Sequence, residues 1–252
     1  MFLIMGGVGL VWLIPWLLVL KGDRPAMDGG SVAKRKAEQL PFSNILKSPM
    51  VWGSIVINFC YNYFTFYCLT WMPAYFKDHL GFSLKKMALF SFFQFAGIAI
   101  VALVAGWVAD RMIARGGDPV AVRKAFVVGG FVIACTELLG LLSHSPNMAG
   151  FWAIVSLSGL GLATANHLAL VRLTLIPKQA AGRVTGVQNV STGMAGAFGP
   201  LLSGWLLQVT GSYLAPMLVI FVFLVIGAVT CIVLLRREWA PKMPDALPAG
   251  AG

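Results

Sequence analysis

The residues of this chain that could do chemistry lie inside its most apolar stretches. In NFCYNYFTFYCLTWMPAYF (58–76), Asn58, Tyr61, Asn62 and Thr65 follow the spacing i, i+3, i+4, i+7. That spacing puts them on one face of a helix. No charge falls between Lys47 and Lys77, so this is one polar stripe on an apolar cylinder. In a membrane such a stripe must face a protein interior or a water-filled cavity. Interhelical hydrogen bonding is one reading, at about 0.6 kcal/mol per contact. A lining for a polar solute is the other, and two amides beside tyrosine and threonine on one face favour it.

Other apolar stretches carry polar groups too. Thr164 and His167 lie three apart and share a face, with Asn166 on an adjoining one. His167 is the one histidine in the middle of an apolar run; a neutral imidazole there bonds anions, water or a neighbouring helix, or passes protons near neutral pH. Metal ligation is not expected, because no second ligand lies at suitable spacing. GVQNVSTGMAGAFGP (186–200) adds Gln188 and Asn189 to Gly193, Gly196 and Gly199, which allow close helix approach, and to Pro200, which can bend a helix. Gln94 is a lone amide. Glu137 is the one acid inside an apolar run, a functional candidate by default and otherwise a group reaching water at the outer end of its helix.

The elements that must position these groups are membrane helices. The 252 residues are 58% hydrophobic and 11% charged, against about 25% charged in soluble domains; mean hydropathy is +0.82. The segments are continuously apolar rather than alternating, which excludes a transmembrane barrel and leaves helices. A span needs about 20 apolar residues, and seven candidates emerge: 1–20, 50–76, 84–109, 122–142, 149–175, 184–208 and 212–235. The chain is thus expected to be an all-α integral membrane protein. It divides into a single span (1–20), a hydrophilic loop (21–49), a six-helix bundle (50–235) and a tail (236–252). Segment 1–20 lacks the basic lead-in of a signal peptide, and the natural polypeptide is expected to begin upstream of Met1.

All but three of the 19 lysines and arginines (Lys77, Lys85 and Lys86) lie in the connections after spans one, three and five, in the span ends that adjoin them (Arg123, Lys124 and Arg172), or in the tail. That is a positive-inside bias. It predicts an outside N-terminus, with loop 21–49 and the C-terminus in the cytoplasm. The charge of +10 is therefore assigned to orientation and to anionic lipid headgroups, not to nucleic acid. Cys60, Cys68, Cys135 and Cys231 have no CxxC partners and read as packing residues. No cofactor is expected.

Between the third and fourth spans runs GWVADRMIARGG (106–117). Gly106 permits close helix contact. Asp110 falls at a helix C-terminal end, where the helix dipole disfavours an anion. It needs a cation, for which Arg111 and Arg115 are at hand, or another helix's N-terminus, such as that near Gly182 and Arg183.

This G-x-x-x-D-R-x-x-x-R pattern resembles the signature loop of the major facilitator superfamily. The stretch FCYNYFTFYCLTWMPAYF looks like the seventh span of its anion:cation symporter branch. AAGRVTGVQNVSTGMAGAFGP resembles the start of that branch's eleventh span, and ANHLAL its tenth. The match covers essentially the whole chain, which would hold family spans six to twelve: the C-terminal six-helix bundle preceded by one extra span. The resemblance implies symport of an organic anion, such as a sugar acid, with a proton or sodium across a membrane such as the bacterial plasma membrane. It also implies a missing N-terminal half as partner, a gating role for Gly106, Asp110, Arg111 and Arg115, and a substrate cavity lined by Asn58, Tyr61, Asn62, Thr65, Gln94, Thr164, Asn166, His167, Gln188 and Asn189. A seven-span receptor and a non-transporting fragment are the alternatives. An enzyme is not expected, since no GxSxG, HExxH or paired carboxylates occur.

Overall fold

The computed structural model describes residues 7, 9–11, 13–20 and 41–241. Those residues form helices and no strand. The chain divides into two units, 1–39 and 40–252. In the first, α1 (Leu13–Leu20) is an entirely apolar helix. The start of the expected first span, most of loop 21–49 and the tail beyond residue 241 lie outside the described residues.

The second unit begins with α2 (Phe42–Leu46) and α3 (Pro49–Thr70). Ser48 caps α3, its Oγ accepting from the Val51 N–H at 3.4 Å. Pro49 occupies the first turn, where a missing N–H costs nothing. The short α4 (Met72–Ala74) follows and runs into a π-helical turn, Tyr75–His79. Ser83 caps α5 (Leu84–Ala114) through the Lys86 N–H at 3.3 Å. Asp118 caps α6 (Pro119–Ala134) through the Ala121 N–H at 2.9 Å. Then come α7 (Glu137–Leu141), α8 (Pro146–Ala169) with its π-helical continuation Leu170–Leu175, α9 (Ala181–Thr210) and α10 (Leu214–Leu234). The turn after α8 stops at Ile176 (φ −111, ψ 147), which Pro177 forces out of helical conformation. Gly211, at φ 65, closes α9.

Three expected boundaries move. The expected second span, 50–76, is not one α-helix, because α3 stops at Thr70. Helix α5 continues to Ala114, past the expected end of the third span at 109, so Asp110 and Arg111 lie within its last two turns. The fourth apolar segment is broken between α6 and α7. There Thr136 Oγ donates to the Ile133 carbonyl at 2.6 Å, a local bond that competes with the helix ladder.

Among the described residues, four helical segments are long and apolar enough to cross a membrane: Leu84–Ala114, Pro119–Leu141, Pro146–Leu175 and Leu214–Leu234. Helices α3 and α9, of 22 and 30 residues, have the length but fall short in hydropathy. They are the two that carry the amides and hydroxyls of 58–65 and 188–192. Among the described residues, length and composition thus establish four spans and do not establish the expected seven.

Helix α8 packs along α5 and α6, while α3 packs along α9 and α10. Lys124 Nζ donates to the Ile232 carbonyl at 2.8 Å, and Ser48 Oγ to the Trp239 carbonyl at 2.5 Å. These bonds bring the start of α3, the start of α6 and the end of α10 to one end of the unit. Lys86 bonds Asn147 where α5 and α8 both begin. Arg123, Lys124, Arg236 and Arg237 thus lie at one end and Lys85 and Lys86 at another.

Small residues let the helices meet. A Cβ on Gly161 would stand 2.6 Å from the Ile98 carbonyl oxygen and 2.9 Å from the Ala102 nitrogen; one on Gly193 would meet nothing within 4 Å. Gly161→Ala is therefore expected to force α8 and α5 apart and destabilise the bundle by about 1–3 kcal/mol. Gly193→Ala is expected to be neutral or slightly stabilising, because alanine is the better helix former. Thermal unfolding of the two variants in detergent checks this contrast.

Candidate functional site

The stripe on α3 turns toward α9 and α8. Asn58 is 2% exposed. Its Nδ2 donates to the Gln188 carbonyl and to Thr192 Oγ1, both at 2.8 Å, and its Oδ1 accepts from the Tyr61 hydroxyl. Both N–H donors of the amide and one of the two lone pairs of its oxygen are used. Asn62 Nδ2 donates to the Asn58 carbonyl at 2.8 Å and to Thr192 Oγ1 at 3.3 Å. One turn before Asn58, Ser54 Oγ accepts from Gln188 Nε2 at 2.6 Å and lies 3.3 Å from His167 Nε2. The Tyr61 ring meets the His167 ring edge-on at 5.7 Å.

Gln188 is the hub of this ladder. Besides Ser54 and Asn58, it reaches Arg172, whose Nη2 stands 3.5 Å from its Oε1, the outer limit of a hydrogen bond. Among the described residues, the buried Arg172 Nε has no hydrogen-bond partner, and neither has His167 Nδ1. Arg172 forms no ion pair with a carboxylate among the described residues. The site therefore combines a fully bonded ladder of hydroxyls and amides with one under-used guanidinium and one under-used imidazole nitrogen. That chemistry suits an acceptor-rich, negatively charged ligand.

The ten expected lining residues do not form one group. Asn58, Tyr61, Asn62, His167 and Gln188 are brought together. Thr65 and Thr164 bond carbonyls of their own helices, those of Tyr61 at 2.8 Å and Gly161 at 3.3 Å. Gln94 is buried elsewhere, its Nε2 on the Ala153 carbonyl at 3.0 Å. Asn166 faces away from His167, toward Arg123. Asn189 is exposed on α9, one residue and about 100° from buried Gln188. Interhelical bonding describes what Asn58 does within this chain. A groove of about 310 Å³ between α3, α9 and α10 is lined by apolar groups such as Ile55, Phe59, Met194 and Phe223 rather than by the stripe.

Sequence reasoning passed over Ser54, Thr192 and Arg172 as site residues. Ser54 extends the Asn58 stripe by four residues and Thr192 follows Gln188 by four, so helical spacing was the available signal. Arg172 follows His167 by five, which is off-face on an α-helix; the π-helical turn Leu170–Leu175 brings it round.

The second polar group is the motif on α5. Asp110 pairs with Arg123 of α6 at 2.6 Å, and Arg123 Nη1 also donates to Asn166 at 3.3 Å. The partner is neither of the arginines expected from the motif. Arg111 lies on the adjacent flank of α5 and covers the Trp107 ring at 5.4 Å; Arg115 is exposed at the helix end. Arg123 returns antiparallel across the turn, so it faces Asp110. The close helix contact expected at Gly106 is not made among the described residues, where a Cβ would meet nothing within 4 Å.

The sequence matches the model of the Major Facilitator Superfamily over residues 1–190. It is similar to a chloroplast protein of Arabidopsis thaliana named sodium-dependent phosphate transport protein 1, at 32% identity over 81% of this chain and 42% of the relative. It is similar to the chloroplast ascorbate transporter of the same plant, at 30% over 81% of this chain and 39% of the relative. A probable sulfoacetate transporter of Cupriavidus necator is 25% identical over 90% of this chain and 55% of its own length. The chain thus spans about two fifths to just over half of these relatives.

Of the basic residues on the motif side of α5 and α6, Arg123 alone is held by both Asp110 and Asn166. Arg123→Gln is expected to lower unfolding stability in detergent by about 1–3 kcal/mol, the loss of charge-assisted bonds to a buried group. Arg111→Gln and Arg115→Gln are expected to stay within about 0.5 kcal/mol. Equal losses in all three would remove the special standing of the Asp110–Arg123 pair.

Proposed function

Because the chain belongs to the major facilitator superfamily, we propose that it forms the C-terminal half of a secondary transporter for a small anion, with the α3–α8–α9 ladder as this half's share of the binding site. Arg172 carries the reading: a guanidinium without a carboxylate partner among the described residues, beside a ladder of satisfied amides and hydroxyls. A bound carboxylate, phosphate or sulfonate would complete its hydrogen bonds. The relatives named for phosphate, ascorbate and sulfoacetate support an anion as cargo.

On this reading the chain supplies spans six to twelve, with α3 and α9 crossing as the two polar-lined spans beside the four apolar ones. The loop 21–49 joins the halves on the cytoplasmic side, where the positive-inside bias also puts the C-terminus, and the N-terminus lies outside. The membrane is a bacterial plasma membrane and the cargo an organic anion such as a sugar acid, moved with a proton or sodium. Transporters of this class rock two halves about a central site. An N-terminal half closes the cleft over the exposed face of α9, where Asn189 lies. The Asp110–Arg123–Asn166 group braces α5, α6 and α8 at one end and acts on the conformational balance rather than on the cargo.

The test joins this chain to the N-terminal half of the sulfoacetate relative in proteoliposomes and follows labelled sulfoacetate, phosphate and ascorbate. Arg172→Gln is expected to cut uptake about tenfold or more, the loss of one charge-assisted bond, with unchanged protein in the membrane. Asn189→Ala is expected to weaken uptake without changing stability. Wild-type uptake in both variants overturns the site. Imposing a proton or a sodium gradient in turn identifies the coupling ion.

A further inference from the structure

Glu137 belongs to neither polar group described above. It opens α7, just past the break in the fourth apolar segment, and is 4% exposed. Among the described residues it enters no ion pair. Its hydrogen-bond partner is Ser156 of α8, whose Oγ contacts Glu137 Oε2. The same Oγ stands 3.1 Å from the Ala153 carbonyl. That carbonyl also receives Gln94 Nε2 at 3.0 Å.

A serine hydroxyl has one hydrogen and rotates freely about its C–O bond. Here it has two acceptors within reach, so it can serve either state of the carboxyl without moving a heavy atom. When Glu137 is ionised, the Ser156 hydrogen points to Oε2. When Glu137 is neutral, its own O–H donates to Ser156 Oγ, and the Ser156 hydrogen turns to the Ala153 carbonyl. The neutral arrangement leaves each member of the chain bonded. The ionised arrangement leaves a buried charge with one donor, a costly state without a counter-ion. The groups around it do not supply one. Tyr67 and Cys68 of α3 and Tyr75 after α4 lie within its electrostatic reach, and α8 presents Ser156. Helix α10, which packs on α7, has no charged residue between Leu214 and Leu234. The Tyr67 hydroxyl is itself buried with no hydrogen-bond partner among the described residues.

We propose that Glu137 is a reversible proton-binding site in the interior of this bundle, with Ser156 as the rotor that accommodates both states. Loading takes one proton from water and neutralises the carboxylate; unloading returns it. The ligand is the proton itself, so the proposal stands apart from the anion site and is read on the carboxyl directly.

The experiment uses the full 252-residue chain in detergent, followed by infrared spectroscopy across a pH titration. A carbonyl band of a neutral carboxylic acid, sensitive to exchange into D2O, is expected at the acid end. It should vanish reversibly at the alkaline end and be missing from Glu137→Gln. Carbodiimide labelling, which needs a protonated carboxyl, is expected to map by mass spectrometry to Glu137 and to fall about tenfold per pH unit above the midpoint. This arm needs no variant. Ser156→Ala is expected to displace the midpoint in a chain that remains folded. A band present through the whole titration marks a permanently neutral structural acid and overturns the proposal. A band and an adduct absent throughout overturn it as well, and an unmoved midpoint in Ser156→Ala overturns the rotor.

Discussion

The amide of Asn58 sets the terms on which α3 meets α9. A polar group inside a membrane protein has only protein to bond, and this one is almost fully buried. Both of its N–H groups are spent on α9 and its carbonyl on Tyr61. Rotating α3 by one residue swings the amide through about 100° and breaks these three hydrogen bonds. Each bond contributes little when made, about 0.6 kcal/mol; leaving a buried partner unmade costs about 1–3 kcal/mol. The register is fixed by the penalty for wrong arrangements more than by the strength of the right one. Ser54 and Asn62, one turn to either side on the same stripe, repeat the constraint.

With that register held, the remaining contacts need only shape. Glycines at the crossings of α8 with α5 and α6 leave no room for a methyl group: at Gly130 a Cβ would stand 2.6 Å from the Ala163 nitrogen. Helix α8 is where the two polar groups meet. Asn166 looks to Arg123 on α6 and His167 to Ser54 on α3. They are consecutive residues on one rigid element. A rotation or slide of α8 therefore disturbs the Asp110 group and the α3–α9 ladder together, a physical link between the proposed gate and the proposed binding site that needs no chain of intermediaries.

Much of this was legible in the residues. Apolar runs located the helices. The spacing of Asn58, Tyr61, Asn62 and Thr65 identified a shared face, and Asn58 and Tyr61 bond one another on it. What spacing could not supply was the depth to which each position is covered. Gln188 and Asn189 look alike in the sequence, yet one is buried and the other exposed. The partner of Asp110 was hidden for a related reason. Arg111 and Arg115 are nearer along the chain, but proximity in sequence is not proximity on a helix. Only the antiparallel return of α6 makes Arg123 the neighbour. Arg172 read as an ordinary terminal charge because its position depends on a π-helical turn that no residue pattern announced.

Arg172 and Glu137's partner Ser156 lie on the same helical run, Pro146–Leu175. Sixteen residues separate them, roughly 24 Å at the rise of an α-helix. Two unit charges at that distance interact by about 0.7 kcal/mol at an effective dielectric of 20, less than a factor of four in binding. An anion held by Arg172 and a proton held by Glu137 therefore do not neutralise each other across the gap. If the two loads are to move together, the coupling lies in the helix they share. On the proposed readings, the proton state of Glu137 sets how Ser156 joins α7 to α8, and ligation of Arg172 sets how the far end of the same run is held to α9. A bundle whose central helix is fastened at both ends by loads of opposite charge has the means to move as one body only when both fastenings change.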